Sequence, residues 1–348
     1  MGVLWFVLLA LVLIVYILLD GFDIGVGIVY LFIARSDDER RIVLSAIGPI
    51  WNGNEVWLIV GGGVLFLAFP KVYAAGLSGF YLGLFVMLWL LIARGLSLEL
   101  RSHVDSAVWR AFWDTTFSGS SLALAAILGI VLGNLVRGVP LSADEFFFTP
   151  FWTNWLPGVN PGLLDWYTVL VALFSVVVLA VYGANYVSVR TSGQVGQRAA
   201  RLGSNGAWGI VVLGAVVATT SLLLQPILIE NYGARPAGVV FPLAAVLGLV
   251  GMLYYRRHAR DTITFVSTGL FILALLSSVA FGLFPNLLIA TTGSAYSLTV
   301  DNAAASPQAL RTSALWFVIS IFIVISYTIY SYISFRGKVT LSSADEGY

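Results

Sequence analysis

Residues 18–27 read LLDGFDIGVG and residues 48–63 read GPIWNGNEVWLIVGGG. The stretch from Asp20 to Trp57 thus sets three carboxylates, Asp20, Asp23 and Glu55, into two apolar segments joined by a short charged turn. An acid at the centre of a membrane helix costs roughly 2.5–3.5 kcal/mol even on a lenient insertion scale. Side chains that expensive line a water or proton path, pair with a partner, or face another chain. The remainder of the sequence reads as scaffold around them.

Composition supplies the setting. Of 348 residues 59% are hydrophobic and only 10% charged, and the mean hydropathy is +0.94. So few charges do not cover a soluble surface of this size, which makes the chain an all-α polytopic membrane protein. A net charge of +1 argues against a nucleic-acid partner. Cysteine is absent, which excludes disulfides and cysteine-held iron–sulfur clusters. No Lys or Arg precedes the first apolar run and no small-residue cleavage site follows it, so a retained first helix is expected rather than a signal peptide.

A span needs about 20 mostly apolar residues. Nine stretches qualify, near 3–33, 47–69, 75–93, 117–136, 163–187, 204–226, 237–254, 262–283 and 312–335. The first is long and is expected to tilt, protrude or break around Gly21. Arg35, Arg40 and Arg41 follow span one, and Arg94, Arg101 and Arg110 follow span three. Arg190, Arg198 and Arg201, then Arg256, Arg257 and Arg260, then Arg336 and Lys338 continue the alternation. The opposite connections hold only Lys71, Arg137, Arg235 and Arg311. By the positive-inside rule this predicts nine spans, the N-terminus outside and the C-terminus cytoplasmic. Of the long outer connections, 137–162 is rich in aromatics and proline and suits the membrane interface, and 284–311 suits a capping loop. No soluble domain, phosphate loop or internal repeat is evident, which argues against nucleotide hydrolysis.

Rise per residue places Asp23 about 18 Å from Arg35, with Glu55 about 21 Å and Asn52 about 17 Å from Arg41. Spans one and two are antiparallel neighbours, so Asp23 and the Asn52–Glu55 turn fall at similar depth and are expected to share one polar pocket. Asp20 and Asp23 are spaced i, i+3, and Trp51 and Glu55 i, i+4. Carboxylates clustered in low dielectric repel, so at least one is expected to hold a proton, which is relay chemistry. The plain alternatives are that Asp20-Gly21 breaks the helix and caps its resumption, that Glu55 bonds a neighbouring helix, and that Trp51 and Trp57 are interface aromatics. Gly25, Gly27, Gly53 and Gly61–Gly63 read as close helix packing. Asn185, Gln225 and a Glu99/Arg101 pair read as structural polar groups at span ends. The chain has two histidines, His103 and His258, both in basic loops, and its three methionines are isolated. It is therefore expected to hold no haem and no metal by itself.

LLDGFDIGVG, GPIWNGNEVWLIVGGGVLFLAFPKVYA, SGFY at 78–81, and FPNLL with SLTVDNAAASPQAL together resemble subunit II of the cytochrome bd quinol oxidases, over essentially the whole chain. The resemblance implies one integral membrane domain over 1–348 in a bacterial plasma membrane. It implies a respiratory enzyme that oxidises quinol and reduces oxygen to water. Haem b, haem d and the quinol site are then expected in a partner subunit I, against which a haem-free subunit II packs. The resemblance leaves room for a small accessory subunit and for a bound quinone or lipid. It also implies that Asp20, Asp23, Trp51, Asn52 and Glu55 lead cytoplasmic protons toward the partner's haems. Many relatives carry an acid where this chain has Asn52; asparagine orients water but carries no proton, so Glu55 is expected to take the titrating role. A proton-coupled secondary transporter would use the same acids, although transporters typically show inverted repeats and discontinuous helices. A purely structural subunit is the third reading.

Overall fold

The computed structural model describes residues 1–340, and within them the chain is an all-α membrane bundle. In chain order the helices are α1 Gly2–Ile33, α2 Asp37–Ile47, α3 Trp51–Ala68, α4 Pro70–Gly79, α5 Tyr81–Leu100, α6 Ala107–Arg137 and α7 Trp166–Arg190. They continue as α8 Gly193–Leu224, α9 Ile227–Ala234, α10 Val240–Arg257, α11 Asp261–Leu283, α12 Val300–Ala303 and α13 Pro307–Ser334. Eight helices, one of them α10 with its 3-10 lead-in from Pro236, are long and apolar enough to cross a membrane, and the pair α2 and α3 makes nine if taken as one span.

That pair is bent by 44°. The cause is Pro49 in Gly48-Pro49-Ile50, which has no N–H to continue the helical ladder. The Ile50 N–H donates to Ile47 O at 2.9 Å instead, a tight turn that re-aims the chain into α3. The expected charged turn after span one is mostly α2. Its N-cap Ser36 accepts from the Glu39 N–H, and Asp37, Asp38 and Glu39 occupy the positive end of the helix dipole.

Of the outcomes expected for the long first span, a tilt, a protrusion or a break at Gly21, the break does not occur: α1 runs as one helix of 32 residues, about 48 Å at helical rise against a hydrocarbon core of about 30 Å, so the surplus tilts or protrudes. One further expectation is corrected: span three lies later than expected. Pro70 opens a separate α4, the chain turns at Phe80, and the spanning helix is Tyr81–Leu100. Arg94 therefore sits within the span and not in the connection after it.

α1 is the centre of the bundle, packed against α3, α6, α7 and α11. Its closest approach is to α7: a Cβ built on Gly25 would collide with Leu179 O and the Gly183 N, and one on Gly183 with the backbone of Gly25 and Val26. Two glycine faces bring the backbones together, as small residues do in membranes generally. Gly27 and Gly61 play similar parts against Ser121 and Leu13, whereas Gly62 and Gly63 face open space.

The arginine-rich ends of the helices are tied to one another, for example Arg198 of α8 to Glu39 of α2. At the opposite end the two long connections pair with each other. The Val139 N–H donates to Ile289 O at 2.8 Å and the Thr291 N–H to Val139 O at 2.9 Å. A small antiparallel pair, β1 Asn286–Leu288 and β2 Leu298–Thr299, continues this cap. Arg137 pins the cap to the bundle through Asp165, the N-cap of α7, and through Asn134. Aromatic side chains of the first connection, among them Phe148, Trp152 and Trp155, remain exposed, as suits a segment at headgroup level.

Candidate functional site

Asp20 and Asp23 of α1 are both fully buried. Helical spacing puts them one turn apart on the flank of α1 that meets α3 and α5. From α5, Arg94 enters this pocket with no exposed surface at all. Its Nη2 donates to Asp20 Oδ1, its Nη1 to Asp20 Oδ2 at 3.1 Å, and the same Nη1 to Glu55 Oε1 of α3 at 3.1 Å. The planar guanidinium matches the Asp20 carboxylate in a two-point fork, which lysine could not do.

Asp23 is held differently. The Asn54 amide donates to Asp23 Oδ2 at 2.7 Å and to Leu19 O at 3.1 Å, and Tyr332 of α13 donates to Asn54 Oδ1 at 3.1 Å. The other Asp23 oxygen, Oδ1, is buried with no hydrogen-bond partner among the described residues, as is the Tyr16 hydroxyl one turn before Asp20. Three carboxyls thus surround one guanidinium in a pocket walled by apolar side chains. Trp51 is buried and its ring lies over Gly95, next to Arg94.

The structure brings Asp20, Asp23, Glu55 and Trp51 together, with Asn54 in the place expected for Asn52. Asn52 does not join the pocket: it lies on the exposed side of α3, and the amide that reaches Asp23 is Asn54. Trp51, Asn54 and Trp57 are all buried at helical spacing i, i+3, i+6, so the face was available from the pattern. Arg94 reads in the sequence as the first cation of a loop, and its signal as a buried group is one cation amid the apolar run LWLLIARGLSL. Glu55 is the acid that stays partly open, with 24% of its side chain exposed.

A second ionic cluster lies at the arginine-rich end. Asp114 of α6 accepts from the Tyr30 hydroxyl at 2.5 Å, from Arg101 Nε at 2.6 Å and from Arg40 Nη1 at 2.8 Å. Arg101 also reaches Asp37 at 2.6 Å, so its partners are Asp37 and Asp114 and not the expected Glu99, which is exposed. Tyr30 and Asp23 stand on the same helix, about 10 Å apart along its axis. Between them α1 meets Ser121 of α6 at Gly27, and the Ser121 hydroxyl is buried with no partner among the described residues.

The other polar residues singled out in the sequence act as helix ties. The Asn185 amide donates to Thr268 Oγ1 at 2.9 Å, and Gln225 Nε2 to Val136 O at 3.0 Å. His103 and His258 are exposed at the arginine-rich end. Among the described residues no group of three His, Asp or Glu side chains is arranged to hold a metal ion.

Comparison with known proteins matches residues 1–335 to the family model described as cytochrome bd terminal oxidase subunit II. The chain is 31% identical over 342 residues to cytochrome bd ubiquinol oxidase subunit 2 of Bacillus subtilis, covering 97% of this chain and 96% of that protein. It is 30% identical over 363 residues to cytochrome bd-I ubiquinol oxidase subunit 2 of Escherichia coli K12, covering 97% and 94%. Its fold superposes on a chain of the bd oxidase from Geobacillus thermodenitrificans with a TM-score of 0.71 at 18% identity, covering 97% of this chain and 99% of that one.

Proposed function

The chain belongs to the cytochrome bd terminal oxidase subunit II family, and from that premise we propose that it scaffolds a haem-bearing subunit I and leads protons toward it through its buried acids. As a multi-pass membrane subunit of a quinol oxidase, it works beside a subunit I. The whole-chain match leaves the transporter reading without support.

One observation carries the proposal: Glu55, joined to Asp20 by Arg94, still opens onto the exposed side of α3. Asn52 opens on that side too. Neither a carboxyl nor an amide is tolerated against lipid tails at membrane depth, so this face is assigned to a protein neighbour. Subunit I is the neighbour the family supplies, and haem b and haem d, with the redox chemistry, belong there in this reading.

The residues of this chain then do three things. The arginine-rich end, read as cytoplasmic, receives protons near Tyr30 and Asp114, and the Ser121 hydroxyl bridges toward Asp23. Asp23, with an oxygen left unpaired, holds a proton in the middle of the route. Arg94 ties Asp20 to Glu55, so a change of charge on one is felt by the other across a single guanidinium. Three carboxyls against one cation in a dry pocket favour a near-neutral total, which is kept by binding and releasing protons. Glu55 passes the proton to the partner, and Asn52 orients water at the crossing.

The test uses the intact oxidase carrying Glu55→Gln. Assembly and haem spectra should match the wild type while quinol-driven oxygen consumption falls about a hundredfold, the lower end of what a lost proton-transfer group costs. Full turnover in a normally assembled Glu55→Gln enzyme would remove the proton role and leave the scaffold role alone.

A further inference from the structure

Away from the carboxyl pocket, a shallow cleft opens between α7, α8 and α10 at the arginine-rich end. Its polar lining includes Asn185, Ser204, Arg256 and Arg257, and its apolar lining Trp208 and Met252. Arg256 donates to Asn185 Oδ1 and, at 2.7 Å, to Asp261 Oδ1. Only 9% of its side chain is exposed, yet its Nε is buried and has no hydrogen-bond partner among the described residues. A buried N–H on a guanidinium is an expensive group to leave unpaired, and an anionic oxygen is its natural acceptor. Arg257 is exposed, and its side chain makes no ion pair or hydrogen bond with the described residues. Two guanidiniums against the single carboxylate of Asp261 leave the rim positive.

Polarity is graded along the helices. Arg256 Nη2 lies beside Gly203, 3.6 Å from where a Cβ would sit. Trp208 is five residues further into α8, about 7 Å deeper at helical rise, and its ring is largely exposed. Met252 lies one turn before Arg256 and is buried at the cleft floor. The cationic groups therefore sit at the end of α10, with an indole and a thioether below them. That is the profile of a lipid at the membrane surface, phosphate above and acyl chain below.

We propose that the α7–α8–α10 cleft binds an anionic glycerophospholipid, its phosphate between Arg256 and Arg257 and its acyl chain along Trp208. The site is independent of the proton reading, because it shares no residue with the carboxyl pocket.

Native mass spectrometry of the delipidated, detergent-solubilised oxidase decides the matter, with phosphatidylglycerol and phosphatidylcholine of identical acyl chains added separately. Arg257→Ala is the variant, since this exposed side chain supports nothing in the fold. The wild type should bind phosphatidylglycerol more tightly than phosphatidylcholine. R257A should lose about fivefold in phosphatidylglycerol affinity, the weight of one cation at an anionic lipid surface, and less in phosphatidylcholine affinity, because the choline cation offsets the phosphate that Arg257 attracts. Equal phosphatidylglycerol binding by wild type and R257A overturns the proposal, and so does an equal loss for both lipids. Inorganic phosphate that competes off phosphatidylglycerol at equal concentration also overturns it, in favour of a free-phosphate site.

Discussion

Arg94 of α5 and Asp20 of α1 form a two-point ion pair in which neither side chain has any exposed surface. Removing one partner of such a pair strands the other charge in a dry site, a penalty of about 3–5 kcal/mol. Arg94→Gln should therefore lower the thermal midpoint of the purified complex sharply. The double variant Asp20→Asn with Arg94→Gln should recover part of the loss, and a double-mutant cycle on the midpoints measures the coupling. Additive effects would show that the pair contributes nothing as a unit.

The exposed pair Lys71–Glu145 gives the contrast. Both side chains are nearly half exposed, 47% and 44%, so water and salt screen them. Lys71→Ala should change stability by less than about 1 kcal/mol, read by the same thermal melt. A large loss would mean that this pair is covered in the assembled enzyme.

Asn54 and Asn52 should respond differently although they are two residues apart. Asn54→Leu leaves Asp23 Oδ2 and the Tyr332 hydroxyl without their partner, at about 1–3 kcal/mol for each buried group so stranded. Asn52→Ala removes nothing inside the chain and should leave the unfolding of the isolated subunit within about 0.5 kcal/mol. It should instead weaken retention of subunit I, read by co-purification in increasing detergent. Equal sensitivity of the two variants in the isolated subunit would contradict the assignment of Asn52 to the partner-facing side.

Glycine positions separate in the same way. Gly183→Ala drives a methyl into the backbone of Gly25 and Val26, and forced overpacking of this kind costs about 1–3 kcal/mol. Gly62→Ala meets nothing within 4 Å and should leave yield and melting midpoint unchanged. Expression and size-exclusion profiles of the two variants compare them directly.

At the arginine-rich end, Asp114 is the hub for Tyr30, Arg101 and Arg40. Asp114→Asn should cost about twice as much as Tyr30→Phe, because it unbalances two cations, about 3–5 kcal/mol for a broken buried pair, while the tyrosine change removes one hydrogen bond to a charged group, worth about 1.5–3 kcal/mol. Urea or thermal unfolding of the two variants orders them. The reverse order would mean that Asp114 is not the group that neutralises this cluster.

The sequence by itself determined the class, the number of spans to within the bent α2–α3 pair, and the expensive acids Asp20, Asp23 and Glu55. Hydropathy is a local sum over about 20 residues, and an acid inside an apolar run is visible at once. Gly48-Pro49 equally announces a break, once the missing N–H is considered. What the linear chain does not encode locally is which side chain answers a buried charge. Arg94 is 74 residues from Asp20 and 39 from Glu55, and it falls inside a span only because α4 separates from α5 at Phe80. The choice of Asn54 over Asn52, the link from Tyr30 to Asp114 and the cleft under Arg257 depend in the same way on how helices cross and rotate. Those are settled by packing between helices distant in sequence, where a one-residue step along α3 turns a side chain by about 100° and carries it from the pocket to the exposed face.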